Sequence, residues 1–95
     1  GSIGVLDCNG FFHLFSQNGQ LQESISIDIR EPEFLISLRN DWMVFNRDGD
    51  CQSIKYSQII VLPGSSKPIL DIVSLNRSLA VLSNDHILII DVRNN

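Results

Sequence analysis

The stretch of sequence that decides the fold is NDWMVFNRDG, residues 40–49. It predicts a tight turn, a short apolar strand and a second tight turn, because Asn, Asp and Gly tolerate the backbone that turns require. Similar stretches are NGFFHLFSQNG at residues 9–19 and NDHILIIDVRNN at residues 84–95. Their first turns are 31 and 44 residues apart, counted from Gly10 to Asp41 and from Asp41 to Asp85. A repeat of hairpins with two-residue connections, such as Asn9-Gly10, therefore organises the chain.

The segments between these copies also have the pattern of strands. Residues 21–29 alternate, with four of five positions apolar on one side and only polar residues on the other, as in a half-buried strand. No window of ten residues has the apolar spacing of a helix without an interrupting Gly, Pro or Asn. The sequence predicts no helix, and strands at 3–7, 11–16, 21–29, 34–38, 42–45, 51–56 with an extended continuation to 62, 69–75, 79–82 and 86–92.

Composition limits the classes of function. The 95 residues, 43% of them hydrophobic and 19% charged, form one globular domain or part of one. The net charge is −4 and the seven Lys and Arg are scattered, whereas nucleic-acid binding rests on clustered cations, so we expect none. No apolar run approaches the ~20 residues of a membrane span. Two cysteines and no secretory leader predict reduced thiols in an intracellular protein.

The repeat resembles the blades of a degenerate β-propeller of the WD40-like superfamily. The resemblance rests on apolar strands that end in an Asn or Asp step, as in Phe45-Asn46 before Asp48-Gly49, and in Ile90-Asp91. It implies an all-β fold of antiparallel hairpins forming two to three blades, in units of about 3–30, 31–62 and 68–95. No copy has the Gly-His start, the Trp-Asp end, the kelch double glycine or the sialidase-type box. The resemblance therefore assigns no subfamily.

Three such units do not close a ring, because propellers have four to eight blades. Two interpretations are compatible with a propeller. The chain is either a segment of a larger propeller, or an open partial propeller whose edges are covered by a partner chain or by self-association. A small β-sandwich or barrel is the alternative fold. The start at Gly1-Ser2 resembles a tag-cleavage scar. We therefore expect a single all-β domain over residues 3–95, excised from a larger protein.

Four kinds of site were weighed and not predicted. Residues 46–50 have too few acidic residues for a calcium loop, and residues 63–67 lack the second glycine of a phosphate loop. The adjacent pair Asp85 and His86 points to opposite faces of a strand, and no serine lies in a nucleophile elbow. A four-ligand zinc site would need distant residues without zinc-site spacing: Cys8, His13, Cys51 and His86.

Trp42 is the residue that the sequence singles out for partner binding. It follows a turn at the rim of its unit, and aromatic residues at rims are enriched in interaction hot spots. The alternative is that Trp42 packs in the core between units. With Trp42, the predicted partner-binding residues are Arg39, Asp41, Asp85 and His86.

The sequence thus favours a non-catalytic protein–protein interaction scaffold, part of a larger intracellular assembly, without catalytic, cofactor-binding or metal-binding residues. The alternative function is a small ligand-binding, lectin-like β-domain that acts as a homo-oligomer. A hydrolase-type propeller is a further possibility that the missing acidic and box motifs disfavour.

Overall fold

The computed structural model describes residues 2–38, 41–56, 59–61, 68–84 and 86–91. Within these ranges the regular structure is entirely β, in three antiparallel sheets. Sheet I consists of β1 (Ser2–Leu6), β2 (Phe11–Ser16) and β3 (Leu21–Ser26). Sheet II consists of β4 (Phe34–Leu38), β5 (Asp41–Phe45), β6 (Asp50–Ser53) and β7 (Ile59–Val61). Sheet III consists of β8 (Ile69–Leu75), β9 (Ser78–Ser83) and β10 (Ile87–Asp91).

The predicted all-β fold of antiparallel hairpins is confirmed. The described ranges contain no helix, and hence none with the length and apolarity that would let it cross a membrane. The predicted strands at 11–16, 34–38 and 69–75 have the observed bounds. Of the segment predicted to be extended after residue 56, Ile59–Val61 form β7. The predicted strand to residue 56 and its direct continuation are wrong, because a turn over residues 54–56 follows β6 and β7 pairs back antiparallel to β6.

The predicted strand at 21–29 is also too long. β3 ends at Ser26, although Ile27 and Ile29 are buried as the alternation predicted. The backbone N–H of Ile27 donates to the carbonyl of Gly10, and that of Asp28 donates to the side chain of Gln52 in sheet II. The Ile27 bond is still made within sheet I, and the Asp28 bond is the first to reach sheet II.

Three hairpin turns share one hydrogen-bonding scheme and start at Asp7, Ser16 and Asn46. The first residue donates its N–H to the carbonyl four residues later, and a glycine three residues later donates to the first residue's carbonyl. These glycines have φ angles of 83°, 84° and 89°, and they are Gly10, Gly19 and Gly49. The two-residue connection predicted at Asn9-Gly10 is therefore wrong. The structure instead has a turn closed by a left-handed glycine and tightened by the side chain of Asp7, which accepts from the N–H groups of Asn9 and Phe11.

The three sheets are stacked face to face, with sheet II in the middle. One apolar cluster fills the space between sheets I and II around Phe12 and Val44. The other fills the space between sheets II and III around Phe45, Cys51, Leu79 and Val81. Side chains alternate along each strand, so sheet II contributes Val44 to one cluster and Phe45 to the other.

The strand directions repeat from sheet to sheet. One cleft is lined by the turn after β1, residues 30–33 before β4, the turn after β5 and Pro68 before β8. The backbone carbonyl of Arg47 accepts a hydrogen bond from the N–H of Ile69. We call this side of the stack the cleft end. Because β1 and β5 end there while β4 and β8 begin there, β1, β5 and β9 run in the same direction.

Candidate functional site

Trp42 packs between sheets I and II. Its ring centroid lies 5.7 Å from that of Phe12, with the two rings tilted by 47°, and its side chain is half-buried. The indole also lies against Gly4 of β1. These contacts are those expected from the alternative prediction, in which Trp42 packs between units. A role of Trp42 in binding a partner stays a prediction.

Of the other predicted partner-binding residues that the structure describes, Asp41 adjoins Trp42 and His86 lies at the opposite end of the stack. Asp41 accepts hydrogen bonds from Ser53 and from the N–H of Lys55, the latter at 2.9 Å, and so fixes the turn after β6. Asp41 and Trp42 begin β5 at the end opposite the cleft. His86 lies at the cleft end, in the β9–β10 turn, where its carbonyl accepts from Ser83. Arg39 and Asp85 lie outside the described residues.

The structure places a hydrogen-bonded row of three polar side chains across sheet I. Nε2 of His13 lies 2.7 Å from Oδ2 of Asp7, and Nδ1 lies 2.8 Å from Oγ of Ser24, which faces His13 across the β2–β3 pair. An ionised carboxylate only accepts, so Nε2 donates to Asp7, and Nδ1 of the neutral ring accepts from Ser24. The bond from His13, together with the N–H of Phe11, lowers the pKa of Asp7.

Sequence reasoning missed this row, because His13 and Ser24 are 11 residues apart and come together only through the strand register. A serine, a histidine and an aspartate in a row are also the parts of a hydrolase triad. Hydrolysis further requires donors that stabilise the oxyanion beside the serine, and Ser24 lies exposed on an open strand. The two hydrogen bonds of His13 fix the orientation of its ring on the outer face of sheet I.

A polar cleft of about 600 Å³ lies at the cleft end of sheets I and II. Its charged residues are partly paired with each other, since Arg47 donates to Glu33. The amide of Asn46 uses its oxygen for the N–H groups of Asp48 and Asp50 and its nitrogen for the carbonyl of Arg30 and the carboxylate of Asp50. These polar groups hold the turn and the linker in place.

The four residues weighed for zinc do not converge. Cys51 is buried between sheets II and III, whereas His13 lies on the outer face of sheet I and Cys8 is exposed in the first turn. Among the residues that the structure describes, no three His, Cys, Asp or Glu side chains come close enough to hold a metal ion. Burial, with a smaller contribution from Asp41, raises the pKa of the Cys51 thiol to about 12.

The three units of the repeat align on equivalent turns once the direction of their strands is known. The equivalent turns at the cleft end begin at Asp7, Asn46 and Ser83, which are 39 and 37 residues apart. The alignment predicted from the sequence matches residues 9–10 and 84–85 with residues 40–41, whereas Asp41, at the start of β5, lies at the opposite end of the stack. Both ends need Asn, Asp or Gly, so turn composition alone could not fix the phase.

This alignment defines two faces for every sheet. The front faces the preceding sheet in the stack and the back faces the following one. Equivalent positions on the fronts are Ile3, Trp42 and Leu79, then Val5, Val44 and Val81. Equivalent positions on the backs are Leu6, Phe45 and Leu82, then Phe12, Cys51 and Ile87.

Burial at these positions depends on whether a neighbouring sheet is present. On the fronts, Val44 and Val81 are 0% and 1% exposed, whereas Val5 is 41% exposed. On the backs, Phe12 and Cys51 are both 0% exposed, whereas Ile87 is 65% exposed. The front of sheet I and the back of sheet III thus carry interior residues at positions that the described chain leaves uncovered.

These two faces are the candidate functional site. The sheet I front consists of Ile3, Val5, Phe11, His13 and Phe15, which the register places side by side. The large apolar residues of the sheet III back are Val73, Leu75, Leu82, Ile87 and Ile89, and the register places Asp71 and Asp91 on the same face. Its strands are apolar on both sides, the pattern of a sheet that is covered on both faces.

Comparison with known proteins gives no match, whether to a family model, to a curated protein or to a solved structure.

Proposed function

We propose that this chain is a non-catalytic protein–protein interaction module, built as a partial β-propeller, that works within a larger intracellular assembly. The observation that carries the proposal is the pair of uncovered apolar faces at the two ends of the stack. Contiguous exposed apolar surface is uncommon on monomeric proteins and marks interaction sites. A run such as Ile87 to Ile90, with alternate side chains exposed, therefore favours a partner at the sheet III back.

The topology supports the propeller form of this module. Each sheet is an up-and-down meander, the first strands β4 and β8 of successive sheets are in contact, and the equivalent turns recur every 39 and 37 residues. Propeller blades have this meander and a period of about 40 residues. In a propeller every blade is covered on both faces, which accounts for interior residues on the sheet I front and the sheet III back.

The alternative is a ligand-binding, lectin-like domain that acts as a homo-oligomer. The cleft has the volume of a small-molecule pocket, since such pockets measure roughly 300–1,000 Å³. Its polar groups, however, are engaged in holding the turn at Asn46 and the pair of Arg47 with Glu33. Among the described residues, apolar side chains of the end faces such as Val5 and Ile87 are exposed, so these faces support a binding function better.

Site-specific photo-crosslinking tests the proposed function. A benzophenone side chain placed at Val73, on the sheet III back, is expected to form adducts with a protein in extracts of the source cells. Excess unlabelled wild-type chain should compete these adducts away, and excess Ile89→Lys chain should not. The same group at Tyr56, exposed in the turn after β6, is the control. The proposal would be overturned if the probe at Val73 gave no more adduct than the probe at Tyr56, and if a probe at Val5 on the sheet I front also gave no more adduct than the control.

A further inference from the structure

We propose that the partner of these faces is a second copy of this chain, bound head to tail. The sheet III back of one copy packs on the sheet I front of the next, so that the stack of sheets continues across two chains. This inference rests on the proposed function, because it names the occupant of the same faces.

The packing inside one chain is the template for this contact. Where sheet I meets sheet II, the back positions Leu6 and Phe12 face the front positions Trp42 and Val44. Where sheet II meets sheet III, the back positions Phe45 and Cys51 face the front positions Leu79 and Val81. Each internal interface thus joins the back of one sheet to the front of the next.

The exposed faces continue that series. Leu82 and Ile87 occupy the back positions of Phe45 and Cys51, and Ile3 and Val5 occupy the front positions of Trp42 and Val44. Leu82 and Ile87 of one copy would therefore meet Ile3 and Val5 of the next. The chain carries both halves of the interface that its own sheets use, whereas two identical faces meeting each other would repeat no contact found inside the molecule.

The side chains at the two faces suit such a contact. The sheet III back is aliphatic at its centre and carries Asp71 on β8 and Asp91 on β10, which are not neighbours in the register. The sheet I front mixes aliphatic with aromatic residues, as the internal interface around Phe12 and Trp42 does.

His13 lies on the sheet I front with its hydrogen-bond partners Asp7 and Ser24. Its position corresponds to Gln52, which is buried against sheet I with its side chain hydrogen-bonded, so a polar side chain with partners is accommodated at this site.

Charge determines how the association responds to salt. Each copy has a net charge of −4, so two copies repel each other, while the faces that meet are apolar at their centres. Screening weakens the repulsion and leaves apolar burial in place. Association is therefore expected to strengthen as salt rises from about 0.05 M to 0.5 M, a range over which the screening length falls severalfold.

Sedimentation velocity with two face variants tests the head-to-tail arrangement. Ile89→Lys places a charge on the sheet III back, and Val5→Lys places one on the sheet I front. The wild-type chain is expected to increase in mass with concentration, and each variant alone should stay monomeric. An equimolar mixture of the two should form a 1:1 dimer that grows no further, because each variant keeps the face that the other has lost.

The controls separate folding from association. Tyr56→Lys, a charge at an exposed turn position outside both faces, should associate like the wild type. Denaturant unfolding of the monomers shows whether each variant is folded. Ile87→Lys and Ile3→Lys repeat the test on the same two faces if Ile89→Lys or Val5→Lys does not fold.

Three outcomes would overturn the head-to-tail arrangement. The first is a wild-type chain that stays monomeric up to about 1 mM, because a dissociation constant of that size corresponds to a binding free energy of only about 4 kcal/mol. The others are a mixture that forms no dimer, and a dimer that is abolished by Ile89→Lys and unaffected by Val5→Lys. None of these affects the crosslinking test. Adducts at Val73 that contain only a different protein would leave the proposed function standing and this inference refuted.

Discussion

Gly4 lies directly against the indole of Trp42. A Cβ atom on Gly4 would lie 2.9 Å from two indole carbons and 2.9 Å from a ring carbon of Phe12. Real Cβ contacts are longer, so the two rings occupy space that any other residue at position 4 would need. The glycine lets the first strand of sheet I approach the aromatic pair that joins it to sheet II.

Replacement of Gly4 by alanine is therefore expected to destabilise the fold. Overpacking of this kind costs about 1–3 kcal/mol, measured as the change in the free energy of unfolding by urea denaturation. Trp42→Leu removes the obstructing ring, so the double variant Gly4→Ala with Trp42→Leu should be more stable than the sum of the single changes predicts. Additive effects of the two changes would contradict the contact.

Asn46 is expected to be essential to the turn between β5 and β6. Its buried amide makes four hydrogen bonds, and Asn46→Ala leaves the N–H groups of Asp48 and Asp50 and the carbonyl of Arg30 without that partner. The expected loss in the free energy of unfolding is about 1–3 kcal/mol or more.

Ser16→Ala is the matched control for Asn46→Ala. Ser16 starts a turn of the same type and accepts one bond, from the N–H of Gln20. Its replacement should cost less than about 1 kcal/mol. Equal losses for the two variants would show that turn geometry, and not the buried amide, carries the stability.

Asp7 makes the stability of the fold depend on acid. Hydrogen bonds from His13 and from the N–H of Phe11 lower its pKa below the ordinary value of 3.8. The resulting stabilisation is present above that value and is lost as the pH falls through the lower pKa of the folded state. Thermal unfolding between pH 6 and pH 2 should therefore show a smaller acid loss for Asp7→Asn than for the wild type. Identical pH profiles would contradict this account.

The two cysteines are expected to differ in reactivity. Cys8 is exposed, whereas Cys51 is buried and its pKa is raised to about 12, so its thiolate is scarce at neutral pH. A disulfide reagent at pH 8 should modify Cys8 at once and Cys51 only after denaturant is added. In an assay that follows the absorbance of the released reagent, Cys8→Ser should abolish the reaction seen before denaturant is added. Cys51→Ser should abolish the reaction seen only after denaturant is added. A reaction before denaturant that persists in Cys8→Ser would place Cys51 within reach of solvent.

Because the pKa of Cys51 is raised on folding, the same thiol also contributes stability below pH 9, its ordinary value, which is lost as the pH rises toward 12.

Local signals predicted several strands with their observed bounds, but they did not predict which strands and sheets those strands would contact. Alternation and turn residues located β2, β4 and β8, since both signals act within a few residues. They could not show that His13 faces Ser24, which depends on register, nor that the turn begun at Ser83 is equivalent to the turn begun at Asn46. They also could not reveal that Val5 is exposed while Val44 is buried, because the same residue type on the same pattern is covered only if a neighbouring sheet is present.

The stacking order has a consequence for how the molecule opens. Sheet II packs against a sheet on each side, whereas in the described residues sheets I and III each share an apolar cluster with sheet II only. In such a linear array, stability is approximately a sum of contributions from each layer and from each junction between layers. An outer layer can then detach by breaking one junction, while the middle layer detaches only after both are lost. Cooperativity should therefore be highest at Val44 and Phe45, whose backbone amides serve as the natural reference for the last protons to exchange.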